Sequence, residues 1–78
     1  MELRLRVANI AIKIVNDGEK DEEVLYRVMI ALGTVMCDDV KTANECVGLG
    51  AAKTAADCAP LSPRLQQVAL EIATLIAT

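Results

Sequence analysis

Few residues in this 78-residue chain are suited to covalent chemistry. Histidine is absent, so no Ser/His or Cys/His nucleophile–base pair can be assembled. Cys37, Cys46 and Cys58 are an odd set without a C-x-x-C pair, and a zinc site built on them lacks a fourth ligand. They read as small buried hydrophobes in a reducing compartment. Asp38 and Asp39 are neighbours that point apart, and helix capping explains them better than a carboxylate pair or a metal corner. Gly48 and Gly50 follow a helical pattern rather than a strand and lack the third glycine of a dinucleotide loop. Arg4, Arg6 and Lys13 fit solvated helix faces. Neither an enzyme nor a metal or cofactor site is expected, which leaves non-covalent recognition.

Arg27 is the residue whose chemistry suits recognition best. A guanidinium presents a planar, bidentate donor set to a carboxylate, and an ammonium does not. Its competing role is a surface pair with Glu23, one helical turn earlier, worth roughly 0.3–0.5 kcal/mol. Tyr26 is the single aromatic residue of the chain. It offers Arg27 an adjacent packing surface and a hydroxyl, or else fills the core.

The elements that must position these residues follow from composition and spacing. A chain of 78 residues is one domain at most, and so small a domain buries little core. Hydrophobic residues make up 54% of it, with no Phe or Trp. A core of Ala, Val, Ile, Leu and Met suits closely packed helices better than a sheet. The net charge of −3 argues against general nucleic-acid binding. No apolar run is long enough to span a bilayer. Met1 precedes a charged segment rather than a signal-peptide pattern, so a cytoplasmic or nuclear location is expected.

The central element is Val24 to Cys37, VLYRVMIALGTVMC. Its apolar residues Val24, Leu25, Val28, Met29, Leu32, Val35 and Met36 have helical spacing with a wide stripe. Gly33 in a helix costs roughly 1 kcal/mol relative to alanine, and a neighbouring helix crossing close to it is the expected compensation. Asp21 is the expected N-cap. Leu3 to Asn16 is ambiguous, because its apolar residues alternate locally as in a strand. The alternation changes phase at Asn9, however, and a helix with Leu3, Val7, Ile10 and Ile14 in one stripe accounts for more positions. Gly18 then caps it. Asp39 caps a third helix, Val40 to about Gly48, with Val40, Ala43 and Val47 on one face. Ala51 to Cys58 forms one or two helical turns. Ser62 and Pro63 are an N-cap and N1 pair that starts a last helix to about Ala77. Leu65, Val68, Ile72 and Leu75 make its buried face, while Arg64, Gln67, Glu71 and Thr74 face water.

The run Tyr26-Arg27-Val28-Met29-Ile30-Ala31-Leu32-Gly33-Thr34, followed by Asp38-Asp39, resembles the last repeats of PUL domains. These are the C-terminal domains of phospholipase A2-activating protein and its relatives. In that family an aromatic-Arg pair precedes a V-A-L-G-T run and an acidic turn. A helix ending in Leu-Gly, a short irregular stretch and a final apolar helix then follow. The same order runs here through Val40 to Gly50, Ala51 to Ser62 and Pro63 to Thr78. The resemblance implies an all-α, armadillo-like stack of four main helices plus one short helical piece. It also implies that residues 1–78 are the C-terminal part of such a domain. It further implies a non-enzymatic module that binds the C-terminal tail of a valosin-containing-protein type AAA ATPase through a basic groove, in ubiquitin-dependent protein turnover. Arg27 is the main basic residue at a matching position. An alternative of a different class is a structural or regulatory bundle that self-associates. A terminal repeat leaves one apolar face open, and Leu3, Val7, Ile10 and Ile14 are the expected face of a homo-oligomer.

Overall fold

The helix starts are written into the chain as capping residues. In a computed structural model describing residues 3–77, helices α1 (Leu3–Asn16) and α2 (Glu22–Asp38) lead the fold. Helices α3 (Val40–Gly48), α4 (Ala51–Cys58) and α5 (Pro63–Ala77) complete it, with a 3-10 turn at Ala59–Leu61 before α5. No strand occurs among the described residues. The Asp21 carboxylate accepts from the N–H groups of Glu23 (2.9 Å) and Val24 (3.2 Å) at the start of α2. Asp39 accepts from the N–H groups of Lys41 and Thr42 and from the Thr42 hydroxyl at the start of α3. The Ser62 hydroxyl accepts from the Leu65 N–H at 3.1 Å and caps α5. Each satisfies donors that the first helical turn leaves unpaired. Gly18 and Gly50 close α1 and separate α3 from α4 with φ of 91° and 101°, where L-residues are strained.

Helix α2 is the centre of the stack and packs against α1, α3 and α5. Leu25, Met29, Leu32 and Met36 are buried along it. Leu65, Val68, Ala69 and Ile72 of α5 meet this row, with Leu75 and Ile76 partly buried at its end. Helix α5 does cross at Gly33, but not so closely that glycine is required: a Cβ there would lie 3.5 Å from Ile72 Cγ1, an ordinary van der Waals contact. The short fourth piece is a complete helix of 8 residues, with Ala51, Thr54, Ala55 and Cys58 turned inward. The all-α stack that the spacing predicts is therefore the fold observed.

Two faces differ from the pattern expected. Helix α1 carries two apolar stripes. The one that enters the core is Ala8, Ala11 and Ile12, with Leu5 and Val15 packed against it. Leu3 and Ile10 stay 71% and 58% exposed, and Val7 and Ile14 are half-buried. Small alanines let α1 lie close to its neighbours, so bulk alone does not mark the inner face. The same holds in α3, where Thr42, Ala43 and Cys46 are buried while Val40 and Val47 are exposed. Among the cysteines, Cys46 and Cys58 are buried as expected, but Cys37 is exposed. Desolvation raises the pKa of the two buried thiols.

Candidate partner-binding site

The first turns of α2 and α5 lie side by side and are tied by polar side chains. Ser62, besides capping its own helix, donates its hydroxyl to Glu22 Oε2 at 3.0 Å. Arg64 donates Nε to the same oxygen at 3.0 Å and Nη2 to Glu22 Oε1. The same Nη2 reaches Glu23 Oε2 at 2.6 Å. The Arg64 guanidinium also stacks on Tyr26, 3.9 Å from the ring centroid, where the negative face of the ring attracts a cation. Arg64, expected to face only water, is thus the hub of the cluster.

The charges here shift one another in the directions the geometry requires. Hydrogen bonds from Arg64 first, then its charge, hold the Glu23 carboxyl below the usual range. The Glu22 carboxyl is likewise lowered, chiefly by its Arg64 hydrogen bond, against a smaller opposing desolvation. The two carboxylates in turn raise the Arg64 pKa still further, so it stays charged.

Arg27 sits one turn along α2, with Nε on Glu23 Oε1 at 3.0 Å. Its side chain is 77% exposed. Beside it runs a shallow groove of 470 Å³ lined by Glu23, Tyr26, Arg27, Ile30 and Ala31. Tyr26 is half-buried: one face is covered by Arg64, and the ring packs on the edge of the core. The structure therefore brings Arg27 and Tyr26 to one groove, with Arg64 stacked on Tyr26 but outside the groove lining. Leu3, Val7, Ile10 and Ile14 form a separate patch on α1.

The signal for Arg64 was present in the sequence. A cation in the first turn of a helix opposes the helix dipole, and α5 has no acidic residue there to offset it. Glu22 and Glu23, in the first turn of α2, supply that charge from 42 and 41 residues away. A second groove, 350 Å³ between α4 and α5, is lined by Ala52, Ala55, Ala69 and Ala73 among others. It offers contact area without the charged groups that would select a partner.

Among the described residues no helix is long and apolar enough to cross a membrane. Nor does any cluster of three or more His, Cys, Asp or Glu among them form a metal site. No curated protein and no solved structure matched the chain. The family model of the PUL domain, a protein–protein interaction domain, matches residues 1–71, and the chain belongs to that family.

Proposed function

We propose that this chain is the C-terminal part of a PUL domain that acts as a non-enzymatic adaptor, in the cytoplasm or nucleus. In this reading it binds the acidic C-terminal tail of a valosin-containing-protein type AAA ATPase and links that ATPase to ubiquitin-dependent protein turnover. The observation that carries the proposal is the placement of Arg27. It is exposed and lines a groove with Tyr26, within the stretch that the PUL family model matches. A guanidinium there can grip a carboxylate with two parallel donors. Titration with a labelled tail peptide tests it. Arg27→Ala should weaken binding several-fold while leaving thermal stability nearly unchanged, because its exposed pair with Glu23 contributes little. Arg27→Lys should recover only part of the loss. Wild-type affinity in both variants, or no binding by the wild type, would remove the assignment.

A second reading is favoured by one observation, the exposure of Leu3 and Ile10 on α1. With Val7 and Ile14 beside them they offer an apolar patch that a second copy can cover. Sedimentation of the wild type against Leu3→Glu/Ile10→Glu tests it: the wild type should associate and the variant should not. A monomeric wild type at high concentration would end this second reading.

A further inference from the structure

We propose that Glu23 keeps a two-arginine carboxylate site filled from within, and that an aspartate or glutamate side chain of the partner tail takes its place. This rests on the acidic-tail reading above and names where one of the tail's carboxylates sits. Glu23 bridges the two guanidiniums, one oxygen to each: Oε1 to Arg27 at 3.0 Å and Oε2 to Arg64 at 2.6 Å. A carboxylate held between two arginines occupies donors that would equally suit an acidic side chain from a partner.

The arginines are not equally dependent on Glu23. Arg64 is held independently by both oxygens of Glu22 and by the Tyr26 ring. It stays in position when Glu23 rotates away. Glu22 is anchored by Arg64 and by the Ser62 hydroxyl and remains with α5. Glu23 is about half exposed and sits in the first turn of α2, so solvent is open to it once released. Arg27, more exposed still, can follow an incoming carboxylate. With Glu23 in place, two carboxylates balance two guanidiniums and the cluster is locally neutral. Once it swings out, Arg27 is left without its carboxylate in the groove and Arg64, stacked on the groove residue Tyr26, loses one of its two, while the Ile30 and Ala31 wall suits the apolar part of the tail. The groove is shallow and open to solvent rather than enclosed, which fits an acidic side chain of a peptide lying across it.

Fluorescence anisotropy with the AAA ATPase tail peptide, free-ended and C-terminally amidated, tests this. Glu23→Gln should bind about two- to five-fold tighter than wild type, the range set by removing one exposed ion-pair competitor. Glu19→Gln makes the same charge change four residues away. Its carboxylate bonds the backbone N–H groups of Lys20 and Asp21 rather than an arginine, so it should give a much smaller gain. In an Arg27→Ala background the gain from Glu23→Gln should shrink, as expected for coupled neighbours. The amidated and free-ended peptides should bind alike. Arg27-dependent binding that Glu23→Gln leaves unchanged or weakens would overturn the internal-competitor role and leave the acidic-tail reading standing. Binding by the free-ended peptide alone would overturn the side-chain assignment. No binding by wild type or by Glu23→Gln would overturn both.

Discussion

Replacing Gly33 by alanine should stabilise the protein. The glycine lies in the middle of α2 where α5 crosses, and on spacing alone it looks like a concession to close packing. The distances say otherwise. An added Cβ would meet Ile72 Cγ1 at 3.5 Å and Cδ1 at 3.9 Å, which is ordinary van der Waals contact. Alanine is favoured over glycine in a helix interior by roughly 0.8–1 kcal/mol, partly because the unfolded chain loses freedom. Two new carbon contacts add about 0.1–0.2 kcal/mol each. The sum is about 1 kcal/mol, or about 4–8 °C in Tm for a domain of this size. Gly33→Leu is the contrasting case: its further carbons need space that Ile72 fills, and overpacking costs about 1–3 kcal/mol. Thermal and urea melts followed by far-UV circular dichroism measure both. A Gly33→Ala variant that melts several degrees below wild type would show that α2 and α5 lie closer than described, and would refute the reasoning.

Gly50→Ala should act in the opposite sense, because φ of 101° places an L-residue in the left-handed region; a loss of about 1–2 kcal/mol is expected in the same melts. Asp39→Ala removes the cap that accepts from Lys41 and Thr42 and should cost about 1 kcal/mol, read as a lower urea midpoint. The Glu22 and Glu23 carboxyls are held below their ordinary value of 4.5 by Arg64. Their contribution is therefore complete above about pH 4.5 and is lost as pH falls through their lowered folded values. Urea midpoints should drop across that acid range, and Arg64→Met should flatten the drop; an unchanged slope would contradict the assigned pairing. A thiol reagent should modify Cys37 rapidly in the native protein and reach Cys46 and Cys58 only on unfolding, since those two are buried with raised pKa values.

Local chemistry made much of this fold legible in the sequence. Asp21, Asp39 and Ser62 cap the helices they were expected to cap, since capping needs only a side chain and a backbone two or three residues away. The stripe of α2 and the inner face of α5 were readable because most large aliphatic residues on those helices face the core, although Val24, Ile30 and Leu70 are exposed. On α1 they do not. Leu3, Val7, Ile10 and Ile14 step by four, three and four residues and Leu5, Ala8, Ile12 and Val15 by three, four and three; both are helical spacings, so periodicity offers two faces. The close approach of neighbouring helices selects the one with alanines. On α3 it selects Ala43 and Cys46 over the bulkier Val40 and Val47 for the same reason. In the candidate site, Arg27, Tyr26 and the Glu23–Arg27 pair were visible as neighbours along one helix. Of the Arg64 hub the sequence shows only an uncompensated cation in the first turn of α5; its partners lie 42 and 41 residues away, and only tertiary packing brings the two helix starts together.

The most direct test of the central claim is a residue-resolved NMR titration of the 8.3 kDa chain with the AAA ATPase tail peptide. Amide shifts should concentrate at Glu22, Glu23, Tyr26, Arg27, Ile30 and Ala31, with Arg64 following through its side chain. They should disappear for a peptide whose acidic residues are replaced by alanine. Shifts centred on the alanine-lined groove of α4 and α5, on the Leu3–Ile10 patch of α1, or nowhere at all would contradict it.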